Sequence, residues 1–266
     1  MIKFALVADV HHGPEKEYEG QIRKLSRHSL NYLSELNAEI ENVIRPHFVV
    51  QLGDLIEDGA SYSEDRDNYL AGMKHFNGFS VPSLSVIGNH DQVNIEQSQL
   101  QRLNNLERLY YSLDIAGLHC VVLFTSTVDH TDNHISSEQL DWLKDDLARA
   151  QQPALVFLHH PLDEQNLSGN VWFEKYPDYC FVEERAEIRQ ILAESGKVKA
   201  VFNGHVHRNN VSTIDGIHYI TVQSLVEKVG EPDICSRAYT VAELDGKRLK
   251  VKVHGRDAAD YDLVLL

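Results

Sequence analysis

Basic residues are scarce in this chain. Its 266 residues hold 25 Lys+Arg against 40 Asp+Glu, a net charge of −15 at pH 7. Charge of that sign repels DNA, RNA and anionic membranes, which excludes a polynucleotide or a membrane surface as partner. Long apolar runs are also missing: nothing approaches the ~18 consecutive apolar residues of a membrane-spanning helix. The opening MIKFALVADVHHG has one short apolar stretch, then Asp and His, and reads as a first strand rather than a signal peptide. Cysteine is rare. Cys120, Cys180 and Cys235 are odd in number and lack CxxC spacing, which excludes a disulfide scaffold and points to a reducing cytoplasm. The seven prolines are scattered, and no repeat, low-complexity tract or linker breaks the chain, so residues 1–266 are read as a single domain.

Against these shortages stand 15 histidines, with only 2 methionines and 2 tryptophans. Histidine is the commonest metal ligand and a frequent acid or base. These histidines form no tract, so their positions carry the information.

Short apolar, β-branched runs recur between longer helical patterns. Strands are expected at Ile2–Ala8, Phe48–Leu52, Ser83–Ile87, Cys120–Thr125, Ala154–Leu158 and Ala200–Phe202. Helices are expected over about Gln21 to Val43, Arg66 to Phe76, Ser98 to Leu109, Ser137 to Ala150 and Glu183 to Glu194, with a capping box of Ser136 and Gln139 before the fourth. This alternation indicates an α/β fold. Later the pattern changes to short strands around Asp215-Gly216 and Asp245-Gly246 turns, and Tyr110–Ile115 with Leu118–Phe124 reads as a hairpin, so the sheet is mixed. The tail from Ala238 reads either as a dimer edge or as sheet completion.

Polar residues gather where the buried strands stop. Asp9-Val10-His11-His12 follows the first, Gly53-Asp54 the second and Gly88-Asn89-His90-Asp91 the third; His159-His160-Pro161 and Asn203-Gly204-His205-Val206-His207 follow two more. Taken singly, each has an ordinary explanation as a cap, a turn or a core histidine. Five such endings at the same end of five strands do not. In α/β sheets ligands sit beyond the carboxyl ends of strands, so five parallel neighbours would bring these turns to one pocket. Asp and His donors without cysteine suit Mn, Fe or Zn. The candidates are too many for one tetrahedral ion and suit two ions that share a carboxylate. Such a pair clamps the attacking and leaving oxygens of an in-line displacement, and supplies the positive charge this acidic chain lacks.

In that order DVH, GDLIEDG, GNHD, LHHP and GHVH resemble the five motifs of the calcineurin-like metallophosphoesterase superfamily, over Ile2 to His207. The resemblance implies a four-layered α/β/β/α sandwich of two mixed sheets flanked by helices. It implies that Asp9, His11 and His207 bind one metal, that Asp54 bridges, and that Asn89, His159 and His205 hold the second. His159 is assigned over His160 through the family's His-x-Pro pattern. His90 would sit at the leaving-group oxygen without binding metal, with Asp91 holding its tautomer, and a hydroxide held between the ions would attack phosphorus. His12 is expected at the rim facing solvent.

The family spans several phosphate esters. Protein serine/threonine phosphatases resemble GDYVDRG, with arginine where this sequence has Asp58, which counts against that class. The expected substrate is a small phosphate ester, a nucleotide among the candidates, cleaved at a phosphodiester or pyrophosphate bond. The alternatives are a phosphomonoesterase and a non-catalytic scaffold on the same fold. Trp172, Phe173, Tyr176, Tyr179 and Phe181 either stack a base, pack their loop onto the domain or form an oligomer contact. Arg208 reads as a phosphate contact or a surface charge, and the polar run Asp129 to His134 as a pocket rim of no assigned role.

Overall fold

The computed structural model describes residues 1–128, 132–230 and 233–265. Twelve strands build two six-stranded sheets. The first holds β1 (Ile2–Val7), β2 (Phe48–Leu52), β3 (Ser83–Val86), β10 (Tyr239–Asp245), β11 (Arg248–His254) and β12 (Ala259–Val264), in the order β12-β11-β10-β1-β2-β3. The second holds β4 (Tyr111–Ile115), β5 (Leu118–Val122), β6 (Ala154–Phe157), β7 (Val198–Asn203), β8 (Asn210–Ile214) and β9 (Ile217–Thr221), in the order β8-β9-β7-β6-β5-β4. Strands β1, β2 and β3 are parallel, as are β5, β6, β7 and β9, while the remaining pairings are antiparallel. Both sheets are therefore mixed.

The period of two along each strand decides the layering. Phe4 and Leu6, Phe48 and Val50, Phe157, and Phe202 point into one core between the sheets. Phe4 stacks on Phe48 at 5.0 Å and meets Phe202 edge-on at 5.5 Å, and each such buried ring contributes roughly 1.5–3 kcal/mol. The alternate residues face outward. Ala5, Val7 and Val49 pack under α1 (Ser29–Glu39), α2 (Tyr62–Phe76) and α3 (Gln97–Asn104). Val121, Val156 and Val201 pack under α4 (Ser137–Arg149) and α5 (Arg185–Ser195). Helix, sheet, sheet and helix give the four layers, and strands buried on both faces explain their continuous apolar runs.

Several boundaries depart from expectation. Residues 21–25 are not helical, and Ser26–His28 form only a short 3-10 turn before the α-helix. Leu25 N donates to Val226 O at 2.9 Å and Lys228 N to Arg23 O at 2.7 Å, so their backbone is committed to a neighbouring segment. The helix begins at Ser29, and a wider turn over Ile40–Ile44 ends at left-handed Arg45. Helix α3 stops at Asn104, capped by left-handed Asn105. Ser136 Oγ does cap α4, accepting from Gln139 N at 3.2 Å, but the Gln139 amide bonds Phe124 N and O instead of closing a capping box. The tail completes the first sheet: β10 pairs antiparallel with β1. Strand β12 at the far edge is half-exposed and was not expected.

Candidate metal centre

The five polar turns come from two sheets rather than from five neighbouring strands. Those after β1, β2 and β3 belong to the first sheet and those after β6 and β7 to the second. Face-to-face packing brings the carboxyl ends together. The turns then bond to one another: Asp9 N donates to Gly53 O at 3.1 Å, His11 N to Asp54 O at 3.0 Å, and Gly204 N to His159 O at 3.1 Å. Asp9, His11, Asp54, His205 and His207 all adopt left-handed φ, between 44° and 68°. Strain of that kind, about 1–3 kcal/mol per residue, persists where surrounding structure enforces it for a purpose. Two glycines permit the approach. A Cβ at Gly88 would lie 2.2 Å from Asp54 N, and one at Gly53 would lie 2.4 Å from His159 Nδ1.

The side chains form two clusters with one shared atom. In the first, His11 Nε2 and His207 Nε2 are 3.0 Å apart, with Asp9 Oδ1 3.4 Å from His207 Nε2. In the second, His159 Nε2 lies 3.1 Å from Asn89 Oδ1 and 3.2 Å from His205 Nδ1. Asp54 Oδ2 reaches both, 3.6 Å from His11 Nε2 and 3.3 Å from His159 Nε2.

Each imidazole is aimed from behind. His159 Nδ1 donates to Leu52 O at 2.8 Å, His205 Nε2 to Tyr179 O at 3.2 Å and His207 Nδ1 to Glu227 Oε2 at 2.6 Å. His11 Nδ1 sits 2.9 Å from Glu57 Oε2. The opposite nitrogen of every ring is left facing the centre, which is how proteins orient metal-ligating histidines. The carboxylates are held as well: Asp9 accepts from His205 N, and Asp54 from His90 N at 2.9 Å. Burial alone would lower the histidines' pKa, yet Asp54 raises His159 to about 9, while Asp9 and Glu227 raise His207 to about 10. His11, buried and facing Lys24, falls to about 3. Asp54 stays well below the usual carboxylate range because His159 and His90 outweigh its burial. His205, buried beside His159, is also held well below the usual imidazole range, so His11 and His205 are kept neutral while carboxylates raise His159 and His207. The oxygen and nitrogen donors fit hard or borderline divalent ions.

The sequence profile of the calcineurin-like phosphoesterases matches residues 2–209. The chain belongs to the calcineurin-like phosphoesterase family. A probable cyclic nucleotide phosphodiesterase of Fibrobacter succinogenes is 26% identical over 227 residues, 83% of this chain and 79% of that protein. The cAMP/cGMP dual specificity phosphodiesterase MT0825 of Mycobacterium tuberculosis is 28% identical over 70% of this chain, but the match spans only 55% of its own length. Serine/threonine-protein phosphatase CPPED1 of Danio rerio is 27% identical over 87% of this chain and 74% of that protein. The structure of a dimetal phosphatase from Danio rerio superposes with a TM-score of 0.79 at 21% identity, over 100% of this chain and 99% of that one, which establishes the shared sandwich fold. The family implies two metal ions. Relatives named as serine/threonine-protein phosphatases match this chain even though it carries Asp58 where GDYVDRG has arginine.

The seven residues expected as ligands all converge in the two clusters, and His90 stands beside them, its ring 4.9 Å from that of His11. Asp91 requires correction. Its carboxyl accepts from Ile56 N at 3.1 Å and Gly88 N at 2.8 Å, so it braces the turn and does not hold His90. Burial and nearby Asp54 push it up to about 7. His90 Nδ1 bonds Asp58 Oδ1 at 2.6 Å instead. His12 is half-buried against Ser29 Oγ, 3.0 Å away, rather than facing solvent. His160 is fully buried, and neither ring nitrogen has a partner among the described residues. Phe173 packs 4.8 Å from the His205 ring and Trp172 Nε1 donates to Glu227 at 3.3 Å, so part of the aromatic segment supports both GHVH histidines. Tyr176 and Tyr179 stack together at the surface. Arg208 donates to the carbonyls of Asn166 and Ser168 and secures that loop. Asp129, His130 and Thr131 of the polar run lie outside the described residues.

Sequence reasoning missed Glu57, Glu227 and Lys24. Glu57 lay in plain view inside GDLIEDG. Glu227 and Lys24 lie in no motif, and only a β-bridge between their backbones brings them to the centre.

Proposed function

We propose that this phosphoesterase hydrolyses phosphodiester or pyrophosphate bonds of small nucleotide-like substrates, using two ions of the Mn, Fe or Zn class. The observation that carries the reading is Asp54 Oδ2, common to two clusters of aimed imidazoles. Asp9, His11, His207 and Asp54 would hold one ion; Asp54, Asn89, His159 and His205 would hold the other. Once bound, the ions supply a water made acidic enough to ionise near neutral pH and positive charge for the phosphoryl oxygens. His90 stands on the open side, where its side chain is 23% exposed, and there it would meet the leaving group. Asp58 orients that ring, and Asp91 keeps the GNHD turn in place.

The preference for a diester rests on the relatives named for cyclic nucleotides. A phosphomonoesterase is the second reading, favoured by the relatives named as protein phosphatases. Residues 1–266 are read as one domain, because β10 near the end of the chain is hydrogen-bonded to β1 at its start. Three buried free thiols support a reducing cytoplasm, and no described helix is long and apolar enough to cross a membrane. The test is hydrolysis of bis-p-nitrophenyl phosphate against p-nitrophenyl phosphate in Mn²⁺, with a chelator control. Faster diester hydrolysis, abolished by chelation, is expected. Faster monoester hydrolysis moves the assignment to a phosphatase, and activity that survives chelation overturns the metal reading.

A further inference from the structure

We propose that Lys24 is a catalytic residue whose ammonium group binds a phosphoryl oxygen of the substrate beside His90. The inference rests on the phosphoesterase reading and adds a contact to it. Lys24 is 7% exposed. Its Nζ lies 2.6 Å from Glu57 Oε2 and 3.2 Å from His90 Nε2, over the face of Trp172 at 5.1 Å. An ammonium group is costly to bury, so its position calls for a reason.

Neutralising Glu57 is the simplest reason, and it is incomplete. Glu57 Oε2 already faces His11 Nδ1 at 2.9 Å. The ammonium has three N–H donors; Glu57 and His90 take two directions, and the Trp172 face beyond them is a weaker partner than a phosphate oxygen would be. The His90 geometry points the same way. Its Nδ1 donates to Asp58, so Nε2 accepts from Lys24, and the proton shared at that contact belongs to the lysine.

Chain geometry adds a second line of support. Pairing with residues 226–228 strips residues 23–25 of helix and fixes Lys24 opposite Glu227, whose carboxylate orients His207. Two other cations, Lys16 and Arg208, are engaged elsewhere. Lys16 is 44% exposed at its side chain and pairs with Asp58, while Arg208 is spent on loop carbonyls. In a chain of net charge −15, Lys24 is the buried point charge poised to receive a phosphate oxygen.

The test is calorimetric binding of inorganic phosphate to the Mn²⁺-loaded protein, with metal content measured on every sample. Lys24→Met should weaken phosphate binding by about tenfold or more and lower kcat/KM on bis-p-nitrophenyl phosphate in parallel. The same substitution in a Glu57→Gln background, compared with Glu57→Gln alone, removes the stranded carboxylate and decides the matter even where the single variant misfolds. A persistent loss there supports direct contact. A loss below threefold in that background means that Lys24 only neutralises Glu57 and overturns the proposal. A wild-type protein that neither hydrolyses the ester nor binds phosphate removes the phosphoesterase reading itself. An active wild type whose Lys24 variants bind normally removes only the lysine.

Discussion

The two clusters around Asp54 are oriented by different chemistry. In the Asp9 cluster the histidines are backed by side-chain carboxylates, His11 by Glu57 and His207 by Glu227. In the Asn89 cluster they are backed by main-chain carbonyls, those of Leu52 and Tyr179. A carboxylate adds charge and ligand basicity, whereas a carbonyl only fixes the ring. The first cluster should therefore hold its ion more tightly and be tunable by side-chain replacement. The second has its orientation written into the backbone, out of reach of most substitutions.

The largest effect should come from the atom both clusters use. Asp54→Asn is expected to lower kcat/KM by roughly a hundred- to a thousandfold, and to cut bound metal at both clusters. Full loading and activity in that variant would show that the clusters do not share a bridge. A smaller effect should separate the clusters. Glu227→Gln is expected to weaken one of two metal affinities by about ten- to a hundredfold, whereas Tyr179→Ala keeps its carbonyl and should leave both nearly unchanged. Metal titration of the two variants checks this, and equal losses would erase the asymmetry.

The smallest effect lies at the opposite end of the second sheet, where pH acts on stability apart from the metals. His119 bonds Asp114 at 2.8 Å and Asp146 at 2.9 Å. Burial lowers its pKa, but the two carboxylates outweigh it and the net shift is upward. A raised folded pKa stabilises fully below the unfolded value of about 6.5 and is lost as pH rises through the folded value. His119→Asn should therefore lower Tm more at pH 5.5 than at pH 9 in chelator-treated protein. An equal drop at both would assign the residue to packing alone.

Much of the centre was legible because strands buried on both faces read as apolar runs, and the polar residues that end them stand out. Asp9, His11, Asp54, Asn89, His159, His205 and His207 were visible for that reason. Asp91 was misread because adjacency to His90 in sequence says nothing about which way a short turn directs its carboxyl; two backbone amides claimed it. The helix expected from Gln21 failed because its periodicity was local, and pairing with residues 226–228 outweighed it.

By itself the sequence determined the central strands, whose continuous apolar runs mark burial on both faces, and the donor types at the strand ends, while the two-sheet layering followed from the family resemblance. Tertiary structure decided how those donors are divided between two sheets, which atom serves both clusters, and which distant groups stand behind the rings. Glu227 reaches His207 and Lys24 reaches His90 across long stretches of chain, through sheet stacking and one β-bridge. Contacts of that range leave no periodic trace, because they depend on how separate segments pack and not on the pattern within any one of them.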